Sequence, residues 1–143
     1  MNKSSQEIIS GVIKSLNLKG SVLEIGAQTS QSSAYKIFDN NDYKYSNLNI
    51  ESNNIPNTII GDICSETQIK SASFDIILAV DVFEHLKQPW EAAKEIKRLL
   101  KPDGVVIIIT VWSWRYHPVP VDYWRFSHDC LDFLFNGLTC IDK

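Results

Sequence analysis

The chain is poor in cysteine, and what it has is badly spaced for cross-linking or for zinc. Cys64, Cys130 and Cys140 are the only three in 143 residues. An odd number with no Cys-x-x-Cys pair excludes a disulfide framework and a cysteine zinc site, and points to free cytosolic thiols. No metal is expected from the pattern. Positive charge is not in excess either: 14 lysines and arginines stand against 17 aspartates and glutamates, a net charge of −3. The basic footprint of a nucleic-acid binder is therefore missing. No apolar run is long enough to span a bilayer, and the start, MNKSSQEIIS, has no apolar signal-peptide core. Internal repeats and low-complexity stretches are absent too. The remainder is an ordinary globular composition, 44% hydrophobic and 22% charged, in a length that makes one domain, residues 1–143, with a sizeable core.

Hydrophobic periodicity supplies the elements. Ile8, Ile9, Val12, Ile13 and Leu16 recur at helical spacing and predict an amphipathic helix over residues 4–16. Residues 1–20 thus form an amino-terminal helical unit ahead of a core over 21–143. Short strands are predicted at 21–25, 43–50 and 58–60, with a polar loop at 26–33 leading into a helix that runs to Phe38. The stretch 74–110, FDIILAVDVFEHLKQPWEAAKEIKRLLKPDGVVIIIT, reads as strand, acidic turn, helix, Pro-Asp-Gly turn and strand. Its first run is apolar throughout, as in a strand buried on both faces. Pro89 suits the first helical turn, and Trp90, Ala93, Ile96, Leu99 and Leu100 share a side. Lys101 and Gly104 stop the helix, and 105–111 is the most apolar strand. A last helix spans about 127–135, with Ser127 as N-cap and His128 structural.

Strands alternating with helices predict an α/β fold with a doubly wound, Rossmann-like, mostly parallel sheet and helices on both faces. Right-handed crossovers bring the carboxyl ends of the strands to one edge, where such sheets bind ligands. Four segments converge there: 26–30, 49–51, 61–63 and 81–85. The turn after the first strand, EIGAQTSQ, has Gly26 as its only glycine. A dinucleotide site wants more glycines so that amides can close on a pyrophosphate. Gln28 and Ser30 obstruct that reading, and Glu24 is a poor neighbour for a diphosphate. An adenosine ligand without phosphate, such as the sulfonium S-adenosylmethionine, fits nearby carboxylates better. The alternative is that Glu24 only caps or pairs at a strand end.

On these residues the chain resembles class I S-adenosylmethionine-dependent methyltransferases, from about Ser21 to Asn136. The family's first motif stands here as VLEIGAQTS, in which Glu24 and Gly26 match, while Gln28 and Ser30 replace two glycines. The resemblance implies cofactor contacts from Glu24, Gly26, Ala27 and Gln28. It implies a ribose contact at the end of the second strand, where Asn49 replaces the usual carboxylate, Ile50 follows, and Glu51 lies one pleat on along the same face. Gly61-Asp62-Ile63 matches the adenine-binding segment, with Asp62 toward the amino group. AVDVFEHL, with Asp81, matches the fourth landmark, as do Leu99, Leu100, Lys101, Pro102 and Gly104 before the fifth strand.

Residues 110–126, TVWSWRYHPVPVDYWRF, hold three of the four tryptophans. YHPVPVDYWRFS is similar to a segment of small methyltransferases found with bacterial surface-polysaccharide and glycan biosynthesis genes, where it lies over the active site. Aromatic faces pack on the apolar side of a sugar ring while Asp, His and Arg bond its edges. Tyr123, Trp124 and Phe126 are expected to pin the loop to the sheet, with Arg125 paired to a carboxylate. Methyl transfer to oxygen needs a base for the hydroxyl proton, and His117 and His85 are the candidates on this edge. Asp122 would orient a histidine or an acceptor hydroxyl, and Glu84 is a further candidate. The alternative for His85 is a helix-start residue bonded to backbone.

The family's strands after the fifth have no counterpart, so the carboxyl-terminal part of the sheet reads as truncated. The fifth strand would then have an exposed edge, so either the chain is a fragment, or a second copy covers the edge as a homodimer, or 138–141 folds onto it. The function implied is methyl transfer from S-adenosylmethionine to a small polar acceptor such as a sugar or glycan precursor, in the cytoplasm, with neither nucleic acid nor membrane as partner. The competing reading is a non-catalytic methyltransferase-like binding or regulatory module. A nicotinamide-dependent oxidoreductase is disfavoured by the single-glycine turn.

Overall fold

The computed structural model describes residues 3–29 and 33–142. Ser30, named above in the first loop, lies outside them. Strands β1 (Gly20–Ile25), β2 (Tyr43–Asn49), β3 (Thr58–Ile60), β4 (Phe74–Val80) and β5 (Leu100–Ile109) form one sheet. Their order is β3-β2-β1-β4-β5, and every neighbouring pair is parallel. The helices are α1 (Lys3–Ser15), α2 (Tyr35–Phe38), α3 (Pro89–Leu99) and α4 (His128–Leu134), with a 3-10 turn at Phe83–His85.

The alternation of side chains along each strand divides the core in two. Val22, Ile76, Leu78 and Ile107 point to one face, against Ile9 and Ile13 of α1 and Ala34 and Phe38 at α2. Leu23, Ile25, Leu48, Ile77 and Ala79 point to the other, against Ala92, Ala93, Ile96 and Leu99 of α3 and Phe135 after α4. Helices therefore cover both faces of a Rossmann-like sheet. Ser127 caps α4 by accepting from the Cys130 amide at 3.1 Å.

Two local expectations fail. Trp90, read on one side of α3 with Ala93, Ile96 and Leu99, is 48% exposed while those three are buried. The buried stripe runs through Pro89, Ala92, Ala93, Ile96 and Leu99, and Trp90 sits beyond its edge, packed edge-on to Trp124. The Lys-Pro-Asp-Gly turn does not precede β5 but interrupts it. Leu100 pairs with Phe74, and the ladder resumes at Val105 opposite Ile76, with Asp103 in the left-handed region at φ 63°. Nor does 138–141 cover the β5 edge: among the described residues no strand follows β5, and Ile141 is 64% exposed. No helix among them is long and apolar enough to cross a membrane.

At the amino ends of the strands, Asp75 of β4 joins three strands. Its carboxylate accepts from the Ser21 amide and hydroxyl and from Lys101 Nζ, each at 2.7 Å. Gly20, at φ 107°, is required here, since a Cβ would stand 2.3 Å from Asp75 Oδ2. Burial works against the charge, but the bonds from Lys101 and Ser21 prevail and hold the carboxyl at about 2, against 3.8 ordinarily. A depressed carboxyl contributes stability above its unfolded pKa and loses it as pH falls through the folded one. Asp75→Asn is therefore expected to cost about 1 kcal/mol at neutral pH, a figure reduced for solvent screening because the side chain is 35% exposed. The gap from wild type should close between about pH 4 and pH 2. Urea unfolding across that range measures it, and a gap that persists at the acid end contradicts the account.

Candidate functional site

The carboxyl ends of the strands open onto a cavity of about 260 Å³. It lies over β1 and β4, which are neighbours whose chains leave to opposite sides of the sheet, toward β2 and toward β5. This is the topological switch point at which open α/β sheets take ligands. Gly26, Ala27 and Gln28 line it after β1, Asn49 and Ile50 after β2, and Asp62 and Ile63 after β3. Asp81 and His85 line it after β4, and Val119 and Pro120 reach it from the loop after β5.

The turn after β1 is built on one glycine. Gly26 has φ 76°, and a Cβ there would meet Val82 Cγ2 at 2.7 Å, so neither a side chain nor an ordinary φ fits. Gln28 is not among the residues of positive φ, so the backbone there does not call for glycine. Glu24 is 2% exposed and its carboxylate is engaged. It accepts from Ser33 Oγ at 2.7 Å, from the Ala34 amide at 2.9 Å, and from the Tyr45 hydroxyl. Burial pushes its pKa above the usual carboxylate range, while the bonds from Tyr45, Ala34 and Ser33 pull the other way. The Glu24 side chain thus fixes the start of α2, and Glu24 itself is among the residues that line the cavity.

Asn49, at the end of β2, donates its amide to the Ala27 carbonyl at 2.7 Å. Asn53 donates to the same oxygen at 2.7 Å, so two amides brace the first loop from the side. Glu51 is exposed and is not part of the cavity lining. Asp62 caps its own turn by accepting from the Cys64 amide at 2.8 Å. Asp81 holds φ 54° at the mouth of β4, a conformation that costs a non-glycine residue free energy and persists only where the surroundings impose it.

The loop after β5 folds back over β4. The Glu84 carbonyl accepts from the Tyr123 amide at 2.8 Å and the Trp124 amide at 3.2 Å. Trp124 Nε1 donates to the Leu86 carbonyl at 2.8 Å, and Phe126 is buried edge-on against Phe83. The pinning expected of Trp124 and Phe126 is present, whereas Tyr123 is 48% exposed and pins only through its amide. Inside the loop Asp122 is a clip. It accepts from Arg125 Nη2 and from the His117 amide at 2.8 Å each, and lies 3.2 Å from His117 Nδ1. Arg125 holds its carboxyl well below the usual carboxylate range, against burial. His85 is bonded to backbone, but through the loop and not its own helix: Nδ1 stands 2.6 Å from the Val121 carbonyl.

The His85 and His117 rings meet edge to face at 5.0 Å. Below them is Glu84, fully buried. Its Oε2 accepts from Thr110 Oγ1 at 2.8 Å, and its Oε1 lies 4.0 Å from His117 Nε2. Thr110 was not singled out from the sequence. Its signal was a hydroxyl closing an otherwise apolar strand end, VVIIIT. The cavity is thus lined by Asp62, Asp81 and His85, with Glu84 and His117 grouped around His85.

The family described as "Methyltransferase domain" matches residues 21–108. A curated relative, an uncharacterized methyltransferase of Mycobacterium leprae, is 44% identical over 39 residues, which are 27% of this chain and 14% of the relative. The match thus spans a small part of that protein's length. The YcgJ protein of Bacillus subtilis superposes with a TM-score of 0.75 at 18% identity, over 95% of this chain and 68% of that one. The trans-methyltransferase CalH, in complex with SAH, superposes with a TM-score of 0.54 at 21% identity, over 70% of this chain and 34% of that one. Likeness at these identities establishes a common fold.

The Asp122 clip generates a prediction. In Asp122→Ala the amide of His117 loses its acceptor, and residues 113–123 should exchange amide hydrogens faster while the strands keep their protection. Hydrogen exchange read by mass spectrometry checks this, and an unchanged loop contradicts it.

Proposed function

The chain belongs to the methyltransferase domain family, and on that premise we propose that it acts as a single domain that binds S-adenosylmethionine and passes its methyl group to a small polar acceptor. The observation that carries this reading is the cavity at the switch point, whose lining holds the carboxylates of Asp62 and Asp81 and the imidazole of His85. Asp62 and Asp81 border it and attract a sulfonium cation by simple charge. The Gly26 turn lets backbone approach the ligand, and Asn49 and Ile50 lie where the ribose would rest. SAH, which CalH holds, is what S-adenosylmethionine becomes on losing its methyl group.

The acceptor is a sugar or glycan precursor in this reading. Trp112, Trp114 and Tyr116 are 66%, 61% and 72% exposed on the loop beside the cavity. Such faces suit the apolar side of a sugar ring, while polar groups take its hydroxyls. In the transfer, an acceptor oxygen forms the O–CH₃ bond, the S–CH₃ bond breaks, and S-adenosylhomocysteine leaves. The hydroxyl proton goes to a base, for which His117 and His85 stand on the acceptor side. Asp122 positions His117. A homodimer through the open β5 edge and a cytoplasmic home for the unpaired thiols belong to the same reading.

One observation favours a non-catalytic module instead: the Asn49 amide is spent on the Ala27 carbonyl and has less to offer a ribose. A transfer assay separates the two. Labelled methyl from S-adenosylmethionine should appear in a nucleotide-sugar or saccharide acceptor, and His117→Ala should reduce turnover about 100-fold with little change in cofactor affinity. Equal loss of both, or unchanged turnover, removes His117 from the chemistry. No transfer to any polar acceptor favours the module.

A further inference from the structure

One carboxylate oxygen of Glu84 and one ring nitrogen of each of His85 and His117 gather within 4.8 Å of one another beside the cavity. His85 Nδ1 lies 2.6 Å from a carbonyl oxygen, which only accepts, so in the neutral ring Nδ1 carries the proton and Nε2 keeps its lone pair. His117 Nδ1 lies 3.2 Å from both the Arg115 carbonyl and Asp122 Oδ2, again acceptors, so its Nε2 is also unprotonated in the neutral ring. Opposite is Glu84 Oε1, in a fully buried side chain and without a hydrogen-bond partner. Its distance of 4.0 Å from His117 Nε2 is too long for a hydrogen bond. A buried carboxylate oxygen left bare among lone pairs is costly. A cation removes that cost.

We propose that Glu84, His85 and His117 form a binding site for a divalent first-row transition ion. One nitrogen of each ring and one Glu84 oxygen lie within 4.8 Å of one another. The donors of a four-coordinate zinc stand about 3.3 Å apart, so side-chain rotations of about 1 Å close these three onto an ion. Two imidazoles with one carboxylate suit zinc, iron, cobalt or manganese more than magnesium or calcium, which prefer oxygen. The outer contacts match as well. Each histidine gives its other N–H to a carbonyl or carboxylate, and Glu84 Oε2 takes the Thr110 hydroxyl, which is the support that metal ligands require. Three protein ligands leave a position open toward the cavity that His85 lines.

This deepens the methyl-transfer reading and, as to its role, rests on it. An ion at that open position binds the acceptor hydroxyl and lowers its pKa. With the ion bound the hydroxyl proton passes to solvent water and the imidazoles serve as ligands, so the base role given above to His117 and His85 belongs to the ion-free protein. The cluster was not legible as a metal site because Glu84-His85 and His117 are separated by an entire helix and strand.

The test uses the full chain treated with a chelator and titrated with cobalt(II) chloride, followed by visible d–d absorption, and with zinc chloride by calorimetry. One ion per chain is expected. Glu84→Gln, which keeps the shape and the Thr110 bond, and His117→Ala, on the loop, should each weaken binding by about 100-fold or more, and Asp122→Asn by about 10-fold. Thermal melting shows whether each variant is folded, and S-adenosylhomocysteine binding is measured in parallel without metal. Failure of the wild type to bind an ion, or binding that survives both Glu84→Gln and His117→Ala, overturns the site. If S-adenosylhomocysteine binds while the ion does not, the cofactor reading stands without the metal. If the ion binds and S-adenosylhomocysteine does not, the site stands and its catalytic role falls.

Discussion

Glu84 ties the molecule's active edge together. Its carbonyl takes two amides of the loop after β5, its Oε2 takes the hydroxyl at the end of β5, and its Oε1 is aimed at His117. Burying a carboxylate is expensive unless it is fully satisfied, and this one is satisfied on one oxygen only. The order of the loop, the position of the histidines and the mouth of the cavity all depend on how that second oxygen is used. A residue that served stability alone would have little reason to be a carboxylate at this position.

The sheet creates the place where such a residue matters. In the order β3-β2-β1-β4-β5, β1 and β4 lie side by side while the chain winds away from them in both directions. Their first turns separate and leave a crevice that helices cannot fill. Gly26 brings one wall within contact distance of Val82, and the left-handed Asp81 turns the other wall outward. The aromatic loop then closes the side of the crevice nearest β5. Asp75, at the far end of the same strands, locks their relative heights and so keeps the two walls in register.

Much of this was legible in the sequence. Apolar runs bounded by turn residues marked the strands, and the same alternation placed 26–30, 49–51, 61–63 and 81–85 at one edge, of which Glu51 stands outside the cavity lining. What escaped was what side chains do across long separations. Glu24 lines the cavity as its motif implies, but the motif does not tell that its carboxylate is engaged with Ser33, Ala34 and Tyr45. Asn49 lines the cavity, and the sequence does not tell that its amide is bound to the Ala27 carbonyl. Trp90 follows the helical period closely enough to share a side with Ala93 and Ile96, and only the packing of α3 on the sheet shows that the buried stripe runs through Pro89, Ala92, Ala93, Ile96 and Leu99. The Lys-Pro-Asp-Gly segment has the composition of a turn and makes one, but inside the strand's hydrogen-bonded span. Local pattern settles the elements, and partner choice is settled by distances that pattern does not contain.

The central claim is that the crevice between β1 and β4 is a site for S-adenosylmethionine. Calorimetric titration of the purified chain with S-adenosylmethionine and S-adenosylhomocysteine, with NAD as control, tests it most directly. The account predicts micromolar binding of the first two and none of NAD. Absence of binding by both, in a chain shown by circular dichroism to be folded, would contradict it.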